Sequence, residues 1–251
     1  MVYLKNKVAL VTGGAQGIGA AIVRSFIKQN ATVYFTYRSS SKEAGELADS
    51  LKKEGPVFSL SCDVRKKEEV EKTVESILEK EERIDVLVNN AGVIRDGLFL
   101  TLSDEDWDEV LKTNLWGAYY FCKAVIRPMI LHGGGRIINI SSVVGELGGF
   151  GQTNYAASKG AVNALTKSLA SEYASKNITV NAVSPGMVNT RMSGAVRAAF
   201  GDKIKERIPL GSFAEPDEIA AIVVFLSSEK ARYITGQIIA VDGGLSLLSR
   251  R

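Results

Sequence analysis

The chain has 251 residues, 31 Lys and Arg against 28 Asp and Glu for a formal net charge of +3, and 45% hydrophobic residues. This composition excludes a disordered chain, the charge is too small for a nucleic-acid footprint, and no apolar run reaches membrane-spanning length. Two cysteines, Cys62 and Cys122, and one histidine, His132, make neither a zinc site nor a disulfide framework, so the expectation is one metal-free α/β domain over 1–251, soluble and cytoplasmic.

Val8-Ala9-Leu10-Val11 is a continuous apolar run, as in a parallel strand buried on both faces. It runs into Thr12-Gly13-Gly14-Ala15-Gln16-Gly17-Ile18-Gly19 and then a helix with Ile22, Val23, Phe26 and Ile27 on one face. Strand, glycine turn and helix together aim free backbone N–H groups at a phosphate. The spacing is G-x-x-x-G-x-G, and a tight strand-to-helix connection is the plainer alternative.

The next strand, Thr32 to Tyr37, ends where such folds choose between dinucleotides. An acidic residue there would accept from a ribose 2′-hydroxyl. Here Tyr37 is followed by Arg38, Ser39, Ser40 and Ser41, and a guanidinium with hydroxyls suits a phosphate. NADP is therefore favoured over NAD, with a solvated loop arginine as the alternative. A helix over 42–54 leads to a strand over 57–61 and then Cys62-Asp63-Val64, where the Asp63 carboxylate could accept from an adenine amino group. A polar helix over 66–82 and a strand over 84–88 follow. The small residues of Asn89-Asn90-Ala91-Gly92 would let a cofactor approach closely.

A long helical segment is expected over 103–132, with Ser103 as N-cap ahead of Asp104, Glu105 and Asp106. Asn114 inside it is unfavourable by propensity, so either it is exposed or its side chain is used. Trp107 and Trp116 read as packing residues. The strand 136–140 delivers Ser141 and Ser142, and a glycine-broken loop leads to a helix over 154–176. Tyr155 and Lys159 stand four residues apart there, one turn apart on one face. A neighbouring ammonium favours phenolate and lowers the tyrosine pKa towards a usable acid or base, and Ser142 could donate to a substrate carbonyl beside it.

The strand 178–183 runs into Ser184-Pro185-Gly186. Residues 187–211 are poorly patterned, with short helical pieces, and suit a substrate lid. A helix over 215–226 and a strand over 237–241 finish the chain. Seven strands and six helical connections predict a doubly wound, mostly parallel Rossmann-type sheet with helices on both faces. Ligands then bind beyond the carboxyl ends of the strands, the edge at which the glycine turn, Arg38, Asp63, Asn90, Ser142 and Pro185-Gly186 all fall.

The set T-G-x-x-x-G-x-G (12–19), N-N-A-G (89–92), Asn114, Ser142, Tyr155-x-x-x-Lys159 and Pro185-Gly186 resembles the short-chain dehydrogenase/reductase family along nearly the whole chain. The stretches 91–98, 135–145, 151–159 and 233–237 are most similar to its 3-oxoacyl-[acyl carrier protein] reductases. The resemblance implies that Tyr155 is the general acid, that Lys159 tunes it and binds the nicotinamide ribose, that Ser142 polarises the ketone, and that Asn114 holds a water linking Lys159 to solvent. It places Gly13, Gly17, Ile18 and Gly19 against NADPH, Arg38 at the 2′-phosphate, Asp63 and Val64 at adenine, and Asn90 near the adenosine ribose, with Ala91 and Gly92 also against the cofactor. Pro185, Gly186 and Val188 would also contact the cofactor, with Val188 meeting the carboxamide. It also implies a homotetramer built through the two long helices and the last strand.

Reductases of this branch commonly dock an acidic acyl carrier protein on two surface arginines. The first is matched by Arg127, but the second position is Ser171, with Lys167 one turn earlier. The same chemistry on an acyl-CoA, a quinone or a polyol is thus the alternative, and a cofactor-binding scaffold without turnover is a third. An enoyl reductase is disfavoured because that branch spaces its tyrosine and lysine more widely.

Overall fold

The strand β1 (Val8–Val11) is buried along its whole length because it feeds two apolar layers at once. Ala9 and Val11 pack into one layer and Val8 and Leu10 into the other, the two-residue alternation of a strand. The structure, a computed structural model, describes residues 3–247. Around β1 the strands β2 (Thr32–Tyr37), β3 (Val57–Ser61), β4 (Val86–Asn89), β5 (Gly135–Ile140), β6 (Ile178–Pro185) and β7 (Ile238–Val241) form one seven-stranded sheet. The spatial order is β3-β2-β1-β4-β5-β6-β7 and every pairing is parallel.

Helices cover both faces. On one side α1 (Gly17–Lys28), α2 (Ser41–Leu51) and α9 (Pro216–Ser227) bury Ile22, Phe26, Leu47, Ile219 and Val223. On the other, α3 (Lys67–Glu81), α5 (Gly117–Leu131) and α7 (Thr153–Tyr173) bury Val70, Ile77, Phe121, Val125 and Ala170. The chain reverses its winding between β1 and β4, which are neighbours although two strands separate them in sequence. Their C-terminal ends open the crevice in which open α/β sheets bind ligands.

Several expectations need correction. The helix expected to reach Glu54 stops at Leu51, its last buried position, where the Glu54 and Gly55 N–H groups close back on the Leu51 carbonyl. The stretch 187–211 holds one 13-residue helix, α8 (Gly194–Glu206), instead of short pieces. Its residues are all at least partly exposed, so no apolar stripe announced it. A short helix, α6 (Val144–Leu147), also interrupts the loop before Tyr155. The long segment over 103–132 is helical throughout but changes winding: α4 (Asp104–Leu111) passes through a π-turn at Lys112–Trp116 into α5. Trp116 is half exposed and clusters with Tyr119 and Tyr120 at the surface rather than filling a core. Among the described residues no helix is long and apolar enough to cross a membrane.

Candidate active site

A cavity of ≈ 690 Å³ lies along the carboxyl edge of the sheet, within the usual size for ligand sites. It runs from Arg38, Ser39 and Ser40 past Asp63 and Val64, over Gly13, Gly17 and Ile18, to Ser142, Tyr155 and Lys159. Asn90, Ala91, Gly92, Pro185, Gly186 and Val188 also line it. Of the candidate residues, Gly19 and Asn114 do not. Each stands one layer behind and shapes those that do.

Gly13 holds φ +63°, and a Cβ there would lie 2.9 Å from Ala91 Cα. A Cβ on Gly19 would strike the Gly13 carbonyl and come within 2.6 Å of Asn90 Nδ2. Only glycine lets the turn and α1 pack this tightly. The Asn90 amide donates to the Thr12 and Gly13 carbonyls, 3.0 Å each, and Thr12 Oγ1 accepts from the Asn90 and Ala91 N–H groups at 3.0 Å. Asn90 is therefore occupied in tying β4 to the turn, and only its carbonyl oxygen and its place in the wall remain for a ligand. Gln16, the N-cap of α1, makes no side-chain cap, so the first N–H groups of that helix face the cavity uncapped. The orphaned donors of a helix start suit an anion.

At the other end, Asn114 is buried in the π-turn. Its Oδ1 accepts from Val93 N at 2.8 Å, and its Nδ2 donates to the Val93 carbonyl at 3.1 Å and to Ser158 Oγ at 3.0 Å. The side chain is thus spent on fixing the 90–93 loop against α7, and its oxygen retains one free lone pair. A Cβ on Gly92 would sit 3.3 Å from that oxygen and 3.7 Å from Lys159 Nζ. Glycine leaves that approach open.

Lys159 is buried, and its Nζ donates to the Ile140 carbonyl at 2.8 Å. Burial lowers its pKa to about 8. Its Nζ is 5.6 Å from the centre of the Tyr155 ring. Burial pushes the Tyr155 phenol up to about 12, opposed by a hydrogen bond from Ser142 and assisted by the negative charge of Asp96. The expected depression of the tyrosine by its lysine neighbour is not what the structure shows. Desolvation disfavours the phenolate more than the cation, turned to a backbone carbonyl, favours it. At neutral pH this tyrosine is a proton donor.

Asp63 is the other departure. Arg65 grips its carboxylate through Nε and Nη2 at 2.6–3.1 Å and through its backbone N–H at 3.1 Å. The Arg65 hydrogen bond holds the Asp63 carboxyl below the usual carboxylate range. Its acceptor sites are committed, which leaves little for an adenine amino group.

Several participants escaped the sequence reading. Asn154, in the first turn of α7, accepts from Tyr155 N at 2.7 Å and donates to the Arg95 carbonyl at 2.9 Å. Asp96 lines the cavity and accepts from Gln152 Nε2 at 3.1 Å. Phe150, Met192 and Phe200 give it an apolar mouth. Only Asn154, directly before the tyrosine, carried a sequence signal.

Residues 13–246 match the family model described as Enoyl-(Acyl carrier protein) reductase. The 3-oxoacyl-[acyl-carrier-protein] reductase FabG of Thermotoga maritima is 43% identical over 247 residues, covering 96% of this chain and 98% of that protein. The protein of the same name from Aquifex aeolicus is 43% identical, covering 97% and 99%, and that from Vibrio harveyi 42%, covering 98% and 99%. A solved structure, described as the crystal structure of gox2181, superposes with a TM-score of 0.95 at 34% identity over 98% of both chains.

Proposed function

Because the chain belongs to the short-chain dehydrogenase/reductase family, we propose that it uses a nicotinamide cofactor, NADPH, to reduce the ketone of a 3-oxoacyl group carried on acyl carrier protein to the 3-hydroxyacyl form, as in fatty acid synthesis. The observation that carries this is the meeting of Ser142, Tyr155 and Lys159 at one end of the cavity with a phosphate-suited helix start at its middle. The names of relatives at 42–43% identity agree with it. The matched family model is described by an enoyl reductase, but a tyrosine already hydrogen-bonded by a serine hydroxyl is arranged for a carbonyl oxygen.

The residues present fit the cofactor. The uncapped start of α1 would take its diphosphate, Arg38 with Ser39 and Ser40 its 2′-phosphate, Val64 and the wall at Asp63 its adenine, and Lys159 its nicotinamide ribose. When bound, it supplies a hydride. The protein's own work is at the oxygen: Ser142 and Tyr155 donate hydrogen bonds to the ketone, and as the C=O π bond breaks the oxygen takes the Tyr155 proton. A phenol near 12 is protonated at pH 7 and a ready donor to an alkoxide, a still stronger base. The Lys159 ammonium then offsets the phenolate charge at short range. Asn114 holds the 90–93 loop in place, and α8 lies over the apolar mouth as a lid within a single domain.

The exposed side chains of Lys123 and Arg127 on α5 and Lys167 on α7 would meet the acidic carrier. We further propose a homotetramer through the two long helices and the last strand, to which the half-exposed Trp116 cluster at the start of α5 would offer an apolar surface, and a place in the cytoplasm. Following NADPH oxidation with one 3-oxoacyl group on carrier protein, on CoA and as a simple ester tests the reading. The carrier thioester should give the highest kcat/KM, and a preference for CoA or ester would overturn the carrier assignment.

A further inference from the structure

The lid carries a cation that the chemistry at Tyr155 does not use. The first turn of the lid is tightly braced: Ser193 Oγ donates to the Val188 carbonyl at 2.6 Å, and Arg197 donates through Nε to Ser193 Oγ at 2.9 Å and through Nη2 to the Thr190 carbonyl at 3.0 Å. That bracing lays Thr190 over the glycine turn, its methyl carbon 3.5 Å from where a Cβ on Gly17 would be. Arg197 is consumed in the brace. Arg191 is not. It lines the cavity, and its side chain is 73% exposed. Its one ion pair is long, Nη1 to Glu43 Oε1 at 3.9 Å.

Glu43 stands in the first turn of α2, directly after the Ser39-Ser40 corner that carries Arg38. Ser40, the N-cap of α2, makes no side-chain cap. Arg38 is also only loosely held, at 3.8 Å from Glu109. Two underused guanidiniums, from the sheet edge and from the lid, thus reach the same corner of one cavity, beside unused serine hydroxyls. Of the other charges there, Asp63 and Arg65 neutralise each other, Glu109 pairs more closely with Arg95 at 2.9 Å, and the exposed Lys42 reaches Glu46 only at 4.0 Å.

We propose that Arg191 is a second cation for the cofactor's 2′-phosphate, delivered by the lid, so that NADP recognition and lid position are linked. A guanidinium exchanges a weak carboxylate contact for a dianionic phosphate with which it makes charge-assisted, bidentate hydrogen bonds. Glu43 is then the competitor that holds Arg191 in the meantime.

The inference rests on the NADP reading, and calorimetric binding of two probes separates them. In the wild type, adenosine 2′,5′-bisphosphate should bind much more tightly than 5′-AMP; equal affinities would remove the NADP reading itself. Arg191→Gln, at an exposed position that leaves the fold intact, should weaken the 2′,5′-bisphosphate about tenfold with 5′-AMP little changed. Glu43→Gln should tighten the 2′,5′-bisphosphate, and that gain should vanish when Arg191→Gln is also present. Preserved discrimination in Arg191→Gln, or equal losses for both probes, would overturn the inference while leaving the cofactor reading standing.

Discussion

Removing the buried ammonium of Lys159 gives a test that does not depend on turnover. In the folded chain its pKa falls from the ordinary 10.5 to about 8 because burial penalises the charged form. That difference corresponds to about 3 kcal/mol, which the fold loses at neutral pH by holding this side chain charged. The sign follows from proton counting. Between pH 8 and 10.5 the unfolded chain binds the proton and the folded chain does not, so this group's contribution to stability rises with pH across that window. Lys159→Met removes the ionisation and retains much of the apolar stem. It also leaves the Ile140 carbonyl without its donor, a pH-independent cost of about 1–3 kcal/mol. The diagnostic is therefore the difference between wild type and variant rather than either value alone. Urea unfolding at fixed protein concentration without cofactor should show the wild type gaining about 3 kcal/mol on the variant from pH 7 to pH 10.5. The opposing contribution of Tyr155, which holds its proton longer when folded, begins near pH 10 and is common to both proteins to first order. A difference that stays flat with pH would refute the picture of Lys159 as a buried, destabilising charge. Ketone reduction should be lost in the same variant.

Tyr155→Phe should fold, bind NADPH and lose ketone reduction by roughly 100- to 10,000-fold, the usual worth of a general acid; turnover within about threefold of wild type would remove the phenol from the mechanism. Reduction should also weaken as pH rises through about 8, where Lys159 discharges while Tyr155 remains protonated; a pH profile of kcat that is level to pH 10 would contradict this. Arg38→Asp should erode or reverse a preference for NADPH over NADH, and equal kcat/KM values for the two cofactors in the wild type would sink that assignment. Arg127→Glu should raise KM for a carrier-linked 3-oxoacyl substrate several-fold more than for its simple ester, with kcat little changed and the effect reduced by salt. Identical losses on both substrates would show that this face does not dock a carrier.

The order of strands and helices, the parallel sheet and the edge that collects the site were legible in the amino acids because each rests on a local pattern. The unbroken apolar run at Val8–Val11 fixes a doubly buried strand, the glycines from Gly13 to Gly19 fix the turn, and the one-turn spacing of Tyr155 and Lys159 follows from helix geometry. What the side chains do there depended on which partners the fold turned towards them. Asn114 was flagged by poor propensity, but its bonds to Val93 and Ser158 needed the π-turn and the packing of α7. Asp63 suggested a free acceptor until the fold turned Arg65 onto it. The lid helix, with no buried face, gave no periodicity to read. Above all, charge at the site was decided by tertiary burial. Adjacency of Tyr155 and Lys159 predicts a lowered phenol pKa, whereas withdrawal of both groups from water raises the one and lowers the other, because desolvation depends on everything packed around a group and not on its neighbour four residues away.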